Sequence, residues 1–479
     1  MGDRSSAALD VRVPVVAALT GVVLLLVAGR YGYHRDELYF LQAGRHLSWG
    51  YPDQPPVVPF VARTVSAVAP GSLVALRLPS AVIAACVVLL AGMIAQRLGA
   101  RTGGQVLAAA STALSGVVLA MGHLLSTATF DLLGWTLVAY LLVRLLQGDD
   151  HRWWLLVGLV AGITMLANVL VAFLLAGFVV GVVLVGPRRL LLSPWPWVAA
   201  GIVVLLGLPY ALWQALHGWP QLEVAGNIAT GGSGTSTSRL LFLPLVVLQV
   251  GPWLLPLWLW GLVRLLRDGT LRSLGATFVV LLMTFWGTGG KPYYLAGLFP
   301  LLLAAGAQPF LDWAPRRWMA PALLVLSAPV LLITLPLLPA RSAGIVVPVN
   351  YDVGETIGWP QLVTQVATAY QRLPPGTAII TGNYGQAGAI DRYGPTLGLP
   401  RAFSGHNAFG EWGHPPGTTP VLALGIAPAL LRQSCQELRP SGRLMNAYGI
   451  DDDENGTSLF YCVPRRPWRE LWPRFRHLG

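Results

Sequence analysis

From residue 13 to residue 338 the chain alternates between apolar runs and short polar turns. Runs at 13–29, 77–98, 105–122, 128–147, 153–166, 168–186, 194–215, 240–263, 273–288, 293–309 and 318–338 read as membrane crossings, about eleven in all. The yardstick is a helix of about 20 predominantly apolar residues, the length that spans the hydrocarbon core. The segment 30–76 breaks the series with a long polar stretch. Within it, residues 36–47 and the stretch "PPVVPFVARTVSAV" have the spacing of short helices lying along a membrane surface. After residue 340 the pattern changes again. "TAIITGN" and "PVLALG" read as strands, whereas "GETIGWPQLVTQVATAYQRL" and "APALLRQSCQEL" have helical spacing. That alternation predicts a small α/β domain with a partly parallel sheet. The expected fold class is therefore an α-helical polytopic membrane protein, 1–339, with surface helices in its first external loop, 30–76. A soluble α/β domain, 340–479, follows.

Composition agrees. Of 479 residues 54% are hydrophobic and 11% charged, against about 25% charged in soluble domains. The net charge of +11 then belongs to loops and implies no nucleic-acid partner. Arg4 and Arg12, Arg97 and Arg101, Arg144 and Arg152, Arg188 and Arg189, Arg264, Arg267 and Arg272, and Arg316 and Arg317 fall in alternate loops. The positive-inside rule puts these loops and the N-terminus in the cytoplasm. It puts 30–76, the loop near 122–127, the loop 216–238 with its flexible "GGSGTSTS", Lys291 and the tail outside. The expected location is the plasma membrane, crossed many times. Cys86 lies in a crossing. In an oxidising compartment Cys435 and Cys462 could pair, or each could be a separate buried thiol.

Three charged sites stand where charge is expensive, all on the outer side. "HRDELYF" places Arg35, Asp36 and Glu37 just after the first crossing, with His46 and Asp53 further on. An acidic pair there is either a solvated helix start, favoured by the helix dipole, or part of a site. Asp131, in "STATFDLLGW" with His123 before it, sits about a turn inside an apolar run. It is either a helix cap or a functional group, the default for an ionisable residue in a span. Lys291, in "GGKPYYLAGLFP", is the sole lysine among 32 basic residues. It either snorkels or holds a phosphate as a compact point charge, with the hydroxyls of Tyr293 and Tyr294 in reach. A carboxylate base and a phosphate-binding cation together suit chemistry on a lipid-linked phosphate. Asp53, His123 and His217 are outer-side metal candidates without ligand spacing. No metal site is therefore assigned, although a divalent cation stays open as cofactor.

The motifs "HRDELYFLQAGRHLSWGYPDQPPVVPF", "STATFDLLGW", "QALHGWPQLE", "GGKPYYLAGLFPLLLAAGA", "TGNYGQAGAIDRYGP", "SGHN" and "ELWPRFRH" together resemble the GT-C glycosyltransferases of family 39. That superfamily includes the protein O-mannosyltransferases and the lipid A aminoarabinose transferase, and the resemblance is to actinobacterial-type members. It implies transfer of a sugar from a polyprenyl-phosphate donor to a hydroxyl acceptor outside the cytoplasm. The acceptor could be a protein, glycolipid, polysaccharide or secondary metabolite. By position, Asp36 matches the family's catalytic aspartate and Asp131 its second acidic position. Lys291, with Tyr293 and Arg35, falls where the donor phosphate is held. Glu37, Asp53, Gln54 and His123 are supporting positions. Gln54 stands where family members often carry lysine, which leaves more of the phosphate binding to Lys291. Asn168 stands where they usually carry lysine, which weakens any direct transfer of donor specificity and leaves a divergent or inactive member open. The rival readings are a lipid-linked-sugar transporter or an inactive homologue that binds a lipid phosphate. Against the transporter, the sequence shows neither inverted repeats nor interrupted spans.

Overall fold

The computed structural model describes residues 8–232, 236–314 and 316–479. Arg4 and the middle of the glycine-serine loop lie outside the described residues. Each of the eleven apolar runs falls on helix. Four helices are long and apolar enough to cross a membrane: Leu73–Arg97, Thr127–Leu146, Pro194–Leu216 and the unit Pro292–Trp313. Two bent pairs bring the number to at most six. Other apolar helices, Arg12–Val27, Trp153–Met165 and Val171–Val185 among them, are shorter, and at 1.5 Å per residue they fall below a full hydrocarbon thickness. By length and composition the described residues thus give four to six candidate crossings.

The bent pairs correct one expectation. Thr102–Ala113 and Gly116–His123 meet at 57°, and Arg239–Val250 and Pro252–Arg267 meet at 86°. Each pair is a broken span or a re-entrant loop. The sequence hid them because the apolar run continues through each break. At the second, Gly251 takes φ 121° and Pro252 follows, a pair that ends one helix and starts another.

The helix Leu73–Arg97 sets the polarity of the bundle. Near its first turn Arg77 bonds Glu37 of the segment 30–76. At its other end Arg97 pairs with Asp149 (3.0 Å), which Arg144 also binds (2.7 Å). There too Arg264 reaches the carbonyl of Leu98. The arginine-rich loops thus gather at the end opposite Glu37.

The tail carries five strands: β1 (Ala378–Thr381), β2 (Ala402–Ser404), β3 (Val421–Leu424), β4 (Cys435–Arg443) and β5 (Ser458–Pro464). Their order is β2-β1-β3-β5-β4. The first three are parallel, and β5 runs antiparallel to both β3 and β4. β1 and β3 are buried throughout, which explains their continuous apolar runs. Cys435 and Cys462, on the antiparallel pair, are joined as a disulfide.

The tail has one buried cluster of its own, around Val421, Ala423 and Trp468, and shares another. Leu38, Phe40 and Val58 of the segment 30–76 lie in one buried cluster with Val363, Ile379, Ile390 and Leu422 of the tail. The helices Arg35–Ala43 and Tyr384–Tyr393 approach closely. A Cβ on Gly388 would stand 2.9 Å from that of Leu38, and one on Gly385 2.9 Å from that of Arg35. The glycines of "YGQAGA" let the tail lie directly on the helix that carries Asp36.

Candidate active site

Adjacent in sequence, Asp36 and Glu37 have opposite fates. Glu37 is fully buried. Its carboxylate accepts from Arg77 Nε and Nη2, both at 2.8 Å, and from the backbone N–H groups of His34 (2.8 Å) and Leu125 (3.1 Å). Arg77 also donates to the carbonyls of Ala28 and Gly32 and faces His123 Nε2 at 3.3 Å. A buried carboxylate persists only when its lone pairs are filled, and here all are. Glu37, Arg77 and His123 tie the loop after the first helix to the bundle.

Asp36 points the other way and is partly exposed. The hydroxyl of Tyr384 donates to its Oδ1 at 2.7 Å. Its backbone N–H donates to His34 Nδ1 at 3.2 Å, so His34 caps the helix. Arg35 lies beside it, with Nε 3.9 Å from Oδ1. Expected to face the donor phosphate, Arg35 instead reaches Asp453 at 3.0 Å and Glu355 at 3.4 Å, and sits over the ring of Tyr384.

The tail contributes a further acid. Asp352 packs close to other groups, yet its side chain is 62% accessible. Its Oδ1 lies 3.8 Å from His34 Nε2. Burial works to raise the Asp352 pKa, but His34, Arg35 and Lys291 outweigh it and lower it. Burial likewise opposes a charged His34, but the carboxylates of Asp352, Asp36 and Glu37 raise its pKa.

Lys291 precedes the short helix Pro292–Leu298. Gly289 just before it is in the left-handed region at φ 77°, where glycine avoids a steric penalty. The Lys291 ammonium is 5.8 Å from the ring centre of Tyr293, and among the described residues it has no hydrogen-bond or ion-pair partner. Tyr293 is within electrostatic reach of Asp36, Asp352 and Asp131, and Tyr294 of Lys291 and Asp131. The two tyrosines therefore lie near charged positions singled out in the sequence.

Asp131 is 7% exposed, and its Oδ1 has no hydrogen-bond partner. It is no cap: Ser126 caps the helix Thr127–Leu146 by accepting from Thr129 N–H. Asp53 accepts from the Tyr39 hydroxyl (2.7 Å) and from Asn407 Nδ2 (3.0 Å), and burial pushes its pKa up to about 7. Gln54 is 3% exposed with both amide atoms unpartnered. Asn168 accepts from Leu170 N–H in the turn between Trp153–Met165 and Val171–Val185. His217 stacks on Trp213. Among the described residues no three His, Cys, Asp or Glu side chains are grouped to hold a metal ion.

Sequence reasoning missed Arg77, Asp352, Glu355, Tyr384 and Asp453. Arg77 begins an apolar run, and the rule that flagged Asp131 applies to it equally. Tyr384 lay within a quoted motif but had no role. Nothing local marks Asp352, because its significance comes from the tail folding back over Asp36.

The family model described as dolichyl-phosphate-mannose-protein mannosyltransferase matches residues 53–213. No curated protein matches the chain. Among solved structures, the chain is similar to ArnT from Cupriavidus metallidurans in the apo state. The identity is 14%, the match covers 94% of this chain and 97% of that one, and the TM-score is 0.59. The same protein bound to undecaprenyl phosphate matches at 15% identity, 93% and 97% coverage and a TM-score of 0.59. The Archaeoglobus fulgidus oligosaccharyltransferase matches at 13% identity, over 82% of this chain and 63% of that one, with a TM-score of 0.47. At these identities the likeness to ArnT is one of fold, and it extends over nearly the whole chain.

Proposed function

We propose that this chain, a glycosyltransferase of the GT-C fold, moves a sugar from a polyprenyl-phosphate donor to a hydroxyl acceptor on the outer face of the membrane. The observation that carries the reading is a partly exposed carboxylate, Asp36, and an ammonium, Lys291, without a hydrogen-bond or ion-pair partner among the described residues, each near the accessible Asp352. ArnT in its complex holds undecaprenyl phosphate, which supports a donor of that kind here. In this reading Asp36 takes the proton from the acceptor hydroxyl. The acceptor oxygen bonds to the anomeric carbon as the bond from that carbon to the phosphate oxygen breaks. The electron pair leaves with polyprenyl phosphate, whose growing charge Lys291 and the hydroxyls of Tyr293 and Tyr294 stabilise. General-base catalysis and electrostatic stabilisation of the leaving group are the parts such a displacement needs. Asp131 orients a bound sugar or acceptor. Residues 1–339 form the membrane part, with about eleven crossings and a cytoplasmic N-terminus. The tail, 340–479, is extracytoplasmic and completes the site.

The two bent helix pairs are the kind of interrupted span transporters use, so a lipid-linked-sugar transporter is the second reading. One experiment separates them. Purified protein in nanodiscs is incubated with polyprenyl-phosphate sugars, with and without hydroxyl acceptors, and free polyprenyl phosphate is measured. Release with matching glycosylation of an acceptor is expected. Movement of intact donor across the bilayer without cleavage would overturn the transferase reading.

A further inference from the structure

An open groove of about 730 Å³ lies beside the candidate site, on the outer side of the bundle. Three separate parts of the chain build it: the turn after the helix Arg35–Ala43, the end of the helix Pro194–Leu216, and the tail. Two stacked pairs of rings line it. His46 lies on Trp412 with centroids 4.6 Å apart, and His217 on Trp213 at 3.9 Å, both within 13° of parallel. Between the rings run polar groups, chief among them Glu411 and Arg476, 3.6 Å apart.

We infer that this groove binds a neutral saccharide, the sugar portion of the acceptor. The inference rests on the transferase reading for the word acceptor, but not for the binding itself. A sugar ring presents a face of polarised C–H bonds and a rim of hydroxyls. The negative face of an indole attracts the first, and a carboxylate beside a guanidinium accepts from and donates to the second. An anionic ligand would find the guanidinium already paired. Burial and the charges of Arg401 and Arg45 lower the His46 pKa, so that imidazole adds no cation at neutral pH. A lipid chain would strip water from Glu411 and Arg476 without replacing their hydrogen bonds, which is costly.

Continuity with the site points the same way. The ring of Trp412 is 6.1 Å from that of Tyr39, Tyr39 stacks on Tyr384 at 4.7 Å, and the Tyr384 hydroxyl holds Asp36. The groove and the carboxylate thus share a wall two rings thick.

The test is equilibrium dialysis of the full chain in nanodiscs against labelled mannotetraose, a linear arabinofuranose tetrasaccharide and a serine/threonine-rich octapeptide. At least one tetrasaccharide is expected to bind, with affinity at least ten-fold weaker in Trp412→Ala and Trp213→Ala. Because Trp412 packs on buried rings, Trp213→Ala and Glu411→Gln serve if Trp412→Ala fails to fold. Saccharide binding without any transfer would sink the transferase reading and leave the groove standing. Transfer with no tryptophan-dependent saccharide binding, or binding of the octapeptide alone, would overturn the groove.

Discussion

The hydroxyl of Tyr384 donates to Oδ1 of Asp36 across 2.7 Å, although 348 residues separate the two. One comes from the loop after the first helix and the other from the first turn of a tail helix. The tail therefore positions the carboxylate proposed as base. Hydrogen bonds to charged groups contribute about 1.5–3 kcal/mol, so Tyr384→Phe is expected to lower kcat by roughly 10- to 100-fold. The donor KM should stay near wild type, because the hydroxyl is directed at Asp36. Equal loss in kcat and in donor affinity, measured by steady-state kinetics, would count against a positioning role.

Asp36→Asn keeps the shape and the acceptor oxygen but cannot take a proton. Turnover is expected to fall by about 100-fold or more, the range of general-base contributions, with donor binding retained. Asp131→Asn should also slow transfer, without loss of thermal stability, because its buried Oδ1 has no partner to lose. Near-normal turnover by folded Asp36→Asn protein would remove the base assignment.

Glu37 calls for the opposite outcome. Its carboxylate and Arg77 are both within 1% of full burial and paired at 2.8 Å. Removing one partner of a buried pair leaves an uncompensated charge, at a cost of about 3–5 kcal/mol. Arg77→Met and Glu37→Leu are each expected to depress the melting temperature and the yield sharply, and the double variant to recover part of the loss. A single variant that melts like wild type would show that the pair is dispensable.

Comparing Glu37 with Asp36 shows what the sequence could and could not say. The apolar period located the long helical runs of 1–339, and two strand-like runs located β1 and β3, because both signals are local. Pro220–Thr230, Tyr384–Tyr393, β2, β5 and the strand that begins at Cys435 inside a helix-like stretch were not located. Asp36, Asp131 and Lys291 were legible because ionisable groups near a membrane are rare. The buried role of Glu37 was not, since it depends on Arg77, forty residues away. Nor were Tyr384 and Asp352, which matter only once Gly385 and Gly388 let the tail settle on the helix of Asp36. The breaks at Ser115 and Gly251 escaped because hydrophobicity does not change where a helix bends.

Asp53 gives a pH signature. Burial lifts its pKa to about 7, against the opposing hydrogen bonds of Tyr39 and Asn407, whereas an unfolded aspartate titrates near 3.9, as in model peptides. Between these values the folded chain holds a proton that the unfolded chain has released. Stability therefore falls as pH rises wherever the native state binds more protons. The contribution is complete below about pH 4 and is lost as pH climbs through about 7. Asp53→Asn cannot ionise and should lack this slope. Glu454, also raised to about 7 by burial, is present in both proteins and cancels in the comparison. Melting curves between pH 5 and 8 check this, and parallel curves for the two proteins would refute it.

Lys291 separates two physical roles that share a location. A snorkelling cation needs only to reach headgroups, and arginine does that as well as lysine. A cation seated against a phosphate in a confined site needs a compact ammonium, which the planar guanidinium does not mimic. The structure leaves the ammonium beside Tyr293, without an ion pair among the described residues, on a turn that Gly289 sets with a positive φ. Its electrostatic neighbour Asp352 has an accessible carboxylate. Lys291→Ala is therefore expected to weaken polyprenyl-phosphate binding at least ten-fold, and Lys291→Arg to restore only part of it. Donor affinity of both variants in nanodiscs made from neutral lipid decides the matter, since such bilayers give a snorkelling cation no anionic headgroup to meet. Full affinity in Lys291→Ala, or full rescue by arginine, would assign this residue to the membrane surface instead.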